Sequence, residues 1–184
     1  MIACDDGVVK KLGEGVTIAT CLSWSSEDGL EDLAFLPVHV DGLDASAILS
    51  YLVTVVSPGR MADAILLDSL TIAGFNVVSP DTLYRARRVP VVVVYTYRPS
   101  YRRLSRGLEA SGLPLRSVRS RILRLVDDYT RICTPLGELF IVAWRASIED
   151  ARRIVVEAQG RDRKPIPLRL AHYISSALSR IIYD

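Results

Sequence analysis

The segment Val89–Tyr95, with the sequence VPVVVVY, limits the possible folds of this chain more than any other stretch. Its apolar residues are continuous rather than alternating, which is typical of a strand that is covered on both faces. Such strands occur mainly in parallel sheets that carry helices on either side. The sequence therefore predicts a central strand over residues 89–95 of an α/β sheet.

The first 40 residues precede this strand and are rich in β-branched side chains. We predict three strands there, over Ile2–Cys4, Gly15–Trp24 and Leu33–Val40. Because Pro37 cannot donate a backbone hydrogen bond, the third strand is expected at a sheet edge or a bulge. A helix is predicted after the third strand, because apolar residues recur there at helical spacing, and Asp44 stands at the expected N-cap position.

The rest of the chain alternates between short apolar runs and amphipathic stretches. We predict strands over Ala62–Leu67, Arg131–Thr134 and Glu138–Trp144, with a hairpin between the last two. Further helices are predicted over residues 81–87, 99–111, 115–126, 148–157 and 168–182. A chain of 184 residues fits one domain, here residues 1–184, and this order of elements predicts a mixed α/β sheet with helices on both faces.

The composition bears on the cellular setting. No apolar run approaches the ~20 residues of a membrane helix, and the N-terminus lacks a signal-peptide pattern, so we expect a cytoplasmic protein that does not bind membranes. Cys4, Cys21 and Cys133 are widely spaced in strand-like segments, and we expect buried free thiols in a reducing compartment. The absence of a Cys-x-x-Cys pair argues against zinc.

The charges are distributed unevenly along the chain. Residues 1–80 hold three basic and eleven acidic residues, and twelve arginines lie between Arg85 and Arg131. An acidic centre beside a cationic surface suits a polyanionic partner such as DNA or RNA bound over a metal site. The alternative is that the arginines only solvate helix faces.

Carboxylates follow several of the predicted strands. Asp5 and Asp6 follow the first, Asp41 and Asp44 follow the third, and Asp68 ends the next one. Ligands of open α/β sheets bind at the carboxyl ends of strands, and converging carboxylates are typical of Mg²⁺ or Mn²⁺ sites. Turns and helix caps explain most of these aspartates equally well. Asp68 is the exception, because no glycine follows it.

Two further segments could contribute to such a site. The loop after Asp68 contains Gly74, which allows close backbone approach, and Asn76, which can donate its amide. The last helix carries a predicted polar stripe of Arg169, His172, Ser176 and Ser179, opposite an apolar face of Leu170, Ile174, Ala177 and Ile181. His172 could orient a water or contact a phosphate.

Five segments resemble a mostly archaeal uncharacterised protein family that is similar to endonuclease V, a nuclease with a ribonuclease H-like fold. They are CDDG at 4–7, VHVDGLDAS at 38–46, LLDSLTIAGFNVV at 66–78, VPVVVVYT at 89–96 and KPIPLRLAHYISSAL at 164–178. This resemblance covers nearly the whole chain. It implies a single endonuclease V-like domain with a ribonuclease H-like mixed sheet, and a metal-dependent activity on nucleic acid.

The resemblance also implies roles for particular residues. The first-strand aspartate of endonuclease V corresponds to Asp5 or Asp6, with Asp5 the favoured inward one, and its second aspartate corresponds to Asp68. The segment that begins the last helix of that family corresponds to residues 167–171, PLRLA, with His172 next. Ser69 replaces a glycine of that family. The glutamate that precedes the first helix of endonuclease V has no matching motif here, and only Asp41 or Asp44 stands near its place.

These observations lead to two functional hypotheses. The first is a nuclease that uses Mg²⁺ or Mn²⁺, and the second is a non-catalytic nucleic-acid-binding module on the same fold. The predicted catalytic residues are Asp5, Asp68 and His172, and the predicted metal ligands are Asp5, Asp6, Asp44 and Asp68. The predicted nucleic-acid contacts are Asn76, Arg98, Arg102, Arg103 and Arg169, with base stacking on Tyr95, Tyr97 and Tyr101.

Overall fold

The computed structural model describes residues 1–110 and 128–183, without the side chains of residues 101, 103 and 110. Seven strands form the main sheet in the order β3-β2-β1-β4-β7-β9-β8, and β5 and β6 form a separate hairpin. The strands are β1 Ile2–Asp6, β2 Val16–Ser25, β3 Gly29–His39, β4 Ile65–Leu67, β5 Thr71–Ile72, β6 Asn76–Val77, β7 Val91–Tyr95, β8 Thr130–Thr134 and β9 Gly137–Trp144.

The centre of the sheet is parallel and its flanks are antiparallel. Strand β4 pairs in parallel with both β1 and β7, whereas β2, β3, β8 and β9 pair in antiparallel fashion. Strand β7 lies between a parallel and an antiparallel neighbour, and its four valines are buried. The prediction of a central, doubly covered strand is confirmed. Strand β3, which contains Pro37, is at an edge, as predicted.

Helices cover both faces of the sheet. They are α1 Ala45–Val55, α2 Pro80–Arg87, α3 Tyr101–Ala110, α4 Ile148–Ala158 and α5 Ile166–Tyr183. Side chains of α1 and α2 share a buried core with β1 residues Ile2 and Cys4, and side chains of α4 and α5 share the opposite core with Ala3. This two-sided arrangement confirms the predicted mixed α/β fold. The helix predicted over residues 115–126 lies outside the described residues.

The face that α5 buries differs from the predicted apolar face. Ala171, Ser175 and Ser179 are buried, whereas Ile181 is 79% exposed. The reason is close packing, because a Cβ atom placed on Gly7 would lie 2.5 Å from the Ser175 carbonyl oxygen. Only small side chains fit between α5 and the sheet at this distance. The serine hydroxyls have partners in the helix and in the sheet. Ser175 Oγ lies 2.8 Å from the carbonyl oxygen of Ala171 and 3.1 Å from that of Asp5, and Ser179 Oγ lies 2.9 Å from Thr17 Oγ1.

The prediction of three buried free thiols is wrong. Cys4 and Cys21 face each other on the antiparallel strands β1 and β2, and they form a disulfide. Cys133, on the edge strand β8, is a free and exposed cysteine. The spacing of 17 residues between Cys4 and Cys21 gave no indication of the bond, because strand register brings them together. Among the described helices, none has the length and apolarity needed to cross a membrane.

Candidate active site

Asp5 and Asp68 lie side by side at the carboxyl edge of the sheet. The parallel register pairs Cys4 with Leu67, so the next residue on each strand is an aspartate. Successive side chains alternate between faces, and Asp5 and Asp68 therefore point to the same face as Ala3 and Leu66, the face that α5 covers. Two carboxylates from adjacent strands thus converge on one side of the sheet.

Two basic side chains contact this pair of carboxylates. The Nζ atom of Lys164 lies 3.0 Å from Asp68 Oδ2 and 3.5 Å from Asp5 Oδ2. The Nδ1 atom of His172 lies 3.3 Å from the same oxygen of Asp5. We call these four residues the Asp5–Asp68 cluster. The cluster joins the first and fourth strands to the segment that begins the last helix.

The protonation behaviour of the cluster follows from burial and mutual charge. Burial raises the pKa of Asp68, the charge of Asp5 adds to this effect, and the ammonium of Lys164 opposes it. The hydrogen bond to Asp5 raises the pKa of His172. The side chain of Asp5 is only 5% exposed, whereas that of His172 is 48% exposed. The histidine therefore connects a buried carboxylate to solvent.

Asp6 belongs to the other side of the sheet. Its side chain alternates with that of Asp5, and its Oδ2 accepts a hydrogen bond of 2.6 Å from the backbone N–H of Ala73. Burial and the nearby charge of Asp5 raise the pKa of Asp6 to about 7. Asp6 was predicted as a metal ligand together with Asp5 and Asp68, but its side chain lies on the opposite face of the sheet from theirs. Asp5 is the aspartate that faces Asp68.

A second acidic group surrounds the start of α1, and we call it the loop cluster: His39, Asp41, Asp44 and Asn76. Asp44 occupies the N-cap position without a side-chain capping bond. Its Oδ2 lies 2.7 Å from His39 Nδ1, and its Oδ1 accepts a 2.6 Å hydrogen bond from Asn76 Nδ2. Although burial acts against it, hydrogen bonding to His39 and Asn76 lowers the pKa of Asp44.

Two predicted roles in the loop cluster need correction. Asn76 was predicted to contact nucleic acid, but it is fully buried and its Oδ1 accepts a 3.0 Å hydrogen bond from the N–H of Ala45. Asp44 was predicted as a metal ligand beside Asp5, but both of its oxygens bind loop-cluster partners. These two side chains hold the β3–α1 loop against strand β6.

Gly74 also serves this loop packing. A Cβ atom at Gly74 would lie 2.3 Å from Asp41 Oδ1, so the close approach that the glycine permits is to Asp41. That carboxylate accepts hydrogen bonds of 2.6 Å from the N–H groups of Phe75 and Gly13. The close backbone approach expected at Gly74 therefore serves a contact within the protein.

The Asp5–Asp68 cluster suits a divalent cation in its donor chemistry. Within the described part of the chain, no three His, Cys, Asp or Glu side chains are arranged to hold a metal ion. Asp5 and Asp68 nevertheless direct one oxygen each at the same ammonium group of Lys164. This positive charge stands in for a metal ion between the two carboxylates. Mg²⁺ commonly uses only one or two protein carboxylates and completes its shell with water and phosphate oxygens. The two carboxylates fit such a site.

Basic and aromatic side chains lie near the carboxyl end of β7, next to β4. Tyr97 is 75% exposed, and the guanidinium of Arg163 lies 5.8 Å from its ring centre. Arg98 Nε donates a 2.7 Å hydrogen bond to Tyr129 Oη. An exposed aromatic ring beside two arginines is suited to a nucleic-acid strand.

The other predicted contacts have different environments. Arg102 is exposed on α3, whereas Arg169 forms an ion pair of 2.6 Å with Asp162. The side chains of Arg103 and Tyr101 lie outside the described set. Tyr95 packs against the core, and its hydroxyl oxygen accepts a 3.4 Å hydrogen bond from the N–H of Leu70, so its predicted stacking role is corrected.

Sequence reasoning missed Lys164. The residue lies in a polar loop that reads as a simple connection between two helices. One signal was available, because Lys164 begins the KPIPLRLAH segment that carries the predicted His172. A lone lysine in a polar loop is usually solvated, however, and its contact with Asp5 spans 159 residues of sequence.

Solved structures show which fold this chain has. Endonuclease V from Bacillus subtilis matches with a TM-score of 0.63 at 10% identity, over 99% of this chain and 81% of that chain. Endonuclease V from Ciona intestinalis, in complex with a 24mer DNA containing an inosine, matches with a TM-score of 0.60 at 17% identity, over 98% and 85% of the two chains. The protein has an endonuclease V-like, ribonuclease H-like fold.

Sequence relatives then define the family. The chain belongs to the Endonuclease dU family, which it matches over residues 1–179. It is 45% identical to a UPF0215 protein from Aeropyrum pernix over 98% of both chains. A protein of unknown function from Archaeoglobus fulgidus shares the fold with a TM-score of 0.77 at 21% identity, over 97% and 96% of the two chains. The predicted archaeal, endonuclease V-like family is confirmed.

Proposed function

We propose that this protein is a divalent-metal-dependent nuclease that hydrolyses phosphodiester bonds of DNA. The observation that carries the proposal is that Asp5 and Asp68, from adjacent parallel strands, converge on one ammonium group, that of Lys164. Ligands of such sheets bind at this edge. Membership in the Endonuclease dU family supports the proposed reaction class.

Asp5 and Asp68 would hold Mg²⁺ or Mn²⁺. The bound ion would act as a Lewis acid on the scissile phosphodiester and neutralise its developing charge. The two carboxylates are suited to this task because the sheet fixes their positions. Asp5 is further fixed by its nearly complete burial and by the neighbouring serine of α5.

His172 would handle a proton at the same site. Its Nδ1 faces Asp5, which orients the ring and leaves Nε2 as the nitrogen available to a water or to the leaving oxygen. The hydrogen bond to Asp5 raises the pKa of His172, which favours its protonated form. A protonated imidazole at this position could donate a proton to the leaving oxygen.

The proposed substrate class is supported by the family name and by the charged and aromatic side chains near the cluster. The term dU denotes deoxyuridine, which arises in DNA when cytosine is deaminated, and we propose DNA that contains this base as the substrate. Arg98, Arg163 and Tyr97 would contact the strand beside the cluster, through phosphate pairing and base stacking.

A second candidate is a nucleic-acid-binding module without catalysis. It is favoured by one observation, the placement of Asp6 and Asp44 outside the Asp5–Asp68 cluster, which leaves two carboxylates there. Such a protein would bind DNA with strong salt dependence and would not cleave it with any divalent ion.

The decisive experiment is a cleavage assay on end-labelled oligonucleotides. Single- and double-stranded DNA with one deoxyuridine, one deoxyinosine or neither base is incubated with Mg²⁺, Mn²⁺ or a chelator. Wild type is compared with Asp68→Asn and with Asp28→Asn, a matched control at an exposed turn residue. We expect metal-dependent cleavage of the deoxyuridine strand by wild type and the control, and its loss in Asp68→Asn.

Three results discriminate between the candidates. Cleavage that survives both Asp68→Asn and the chelator would overturn the proposed nuclease site. DNA binding by wild type without cleavage under any metal condition would select the binding module. Equal cleavage of all three substrates would retain the nuclease and remove the deoxyuridine preference.

A further inference from the structure

Lys164 is held at the Asp5–Asp68 cluster by the local structure around it. Gln159 Nε2 donates a 2.6 Å hydrogen bond to the carbonyl oxygen of Arg163, and the side chain of Ile166 packs closely against Gly160. Pro165 and Pro167 on either side of Ile166 are buried. These contacts fix the backbone of the loop, while the Lys164 side chain remains 21% exposed. The ammonium group is thus placed at the carboxylates and keeps access to solvent.

The charge at this position matters because two carboxylates lie side by side around it. Each raises the free energy of the other's ionised form, and Asp68 is affected by both burial and Asp5. The Lys164 ammonium offsets this repulsion with one positive charge. A divalent cation that uses the same two oxygens would supply two charges and would repel the ammonium from contact distance.

We propose that Lys164 is a displaceable internal counter-ion that competes with the divalent metal for Asp5 and Asp68. In the absence of metal its ammonium lies against both carboxylates, offsets their mutual repulsion and holds the two strand ends together. When metal binds, the side chain moves toward solvent. This inference rests on the proposed function for the metal itself, and it assigns to Lys164 a positioning role that acts through the two aspartates.

The contacts distinguish this role from an ordinary surface ion pair. Lys11 also pairs with a carboxylate, that of Glu14, but both side chains are well exposed and belong to one turn. Lys164 instead reaches carboxylates on two separate strands, of which Asp5 is almost completely buried. Loss of Lys164 leaves two adjacent carboxylates without their shared cation, whereas loss of Lys11 leaves a solvated glutamate.

The test is calorimetric titration of Mn²⁺ into metal-free wild type, Lys164→Met, Lys164→Arg and the control Lys11→Met. Removing the competing charge is expected to lower the Kd for Mn²⁺ by about tenfold or more in Lys164→Met, since a unit charge beside the ion interacts strongly at a partly buried site. Lys164→Arg, which keeps the charge, and Lys11→Met are expected to bind as wild type does.

Thermal unfolding of the same proteins gives a second, independent measurement. In chelator, Lys164→Met is expected to have a lower Tm than Lys11→Met, because its two carboxylates repel each other. Saturating Mn²⁺ is expected to raise the Tm of Lys164→Met by more than that of wild type, in which the metal must first displace the lysine.

The outcomes separate this inference from the proposed function. If wild type binds Mn²⁺ and Lys164→Met binds it equally or more weakly, Lys164 does not compete and the inference fails alone. If Lys164→Arg binds as tightly as Lys164→Met, charge is not the cause and the inference also fails. If neither wild type nor Lys164→Met binds Mn²⁺ or Mg²⁺, the inference and the metal-dependent function both fail.

Discussion

The Asp5–Asp68 cluster and the loop cluster each contain two aspartates and a histidine, and they differ in what satisfies their carboxylates. In the loop cluster, Asp41 accepts backbone N–H groups, and Asp44 is bound to the Asn76 amide and to His39. In the Asp5–Asp68 cluster, the oxygens face the ammonium of Lys164, which in our proposal a divalent cation displaces. The comparison indicates that a carboxylate can bind a metal ion when its present partner can be displaced, and not when that partner is fixed by the fold.

The largest expected difference between the clusters is in cleavage rate when one carboxylate charge is removed from each. Asp68→Asn should lower metal-dependent cleavage by about 10³-fold, the upper range for loss of one preorganised electrostatic group. Asp44→Asn should leave the cleavage rate within about threefold of wild type, because its partners are structural. Initial rates under single-turnover conditions measure both. Loss of cleavage in a folded Asp44→Asn protein would break the comparison and join the loop cluster to the site.

The next effect concerns the disulfide that ties β1 to β2 next to Asp5. Replacing Cys4 and Cys21 together by alanine should lower the free energy of unfolding by about 3 kcal/mol, the value expected for a loop of this size. Denaturant titration measures the loss. The Kd for Mn²⁺ should stay unchanged, because sheet register directs Asp5 toward Asp68. A weakened Kd in a folded variant would show that the disulfide also positions the cluster.

A smaller loss of stability is expected from the loop cluster itself. Asn76→Ala removes the amide that binds Asp44, Ala45 and the His39 carbonyl, and it should cost about 2 kcal/mol because buried polar groups lose their partners. Chemical denaturation in chelator measures this cost. If Asn76→Ala is as stable as wild type but loses DNA affinity, the original prediction of a nucleic-acid contact would be restored.

The smallest effect is a pH dependence that belongs to the Asp5–Asp68 cluster. Because the folded pKa of His172 is raised, its contribution to the stability of the metal-free protein is complete below pH 6.5 and is lost as pH rises through the folded pKa. His172→Gln should therefore remove part of the decline in Tm above pH 6.5. Its half exposure limits the contribution to less than about 1 kcal/mol.

The contribution of Asp6 to stability also declines as pH rises, and the two contributions must be measured separately. Its pKa of about 7 means that its contribution is lost between pH 3.8 and about 7. The pH series is therefore measured on Asp6→Asn and on the Asp6→Asn, His172→Gln double variant. Identical slopes above pH 6.5 in these two proteins would contradict a link between His172 and Asp5.

Some sequence predictions succeeded for reasons that can be stated residue by residue. The valines of β7 predicted a doubly covered strand because burial requires apolar residues on both faces. The helices predicted over residues 81–87 and 148–157 form as α2 and α4, and in the structure Ser79 and Ser147 cap them. Boundaries were less accurate, since β4 spans only Ile65–Leu67 of the predicted strand over residues 62–67. The preceding residues carry no local signal for the point where pairing begins.

The sequence by itself determined the elements and the edge of the sheet at which the acidic residues collect, because helix and strand periods are local properties. Only the tertiary structure decided that Asp5 and Asp68 share a face, that Asp6 lies on the other, and that Lys164 joins the pair. The same holds for the buried face of α5 and for the Cys4–Cys21 bond. The physical reason is that strand order and register fix these contacts, and both depend on residues far apart in the chain.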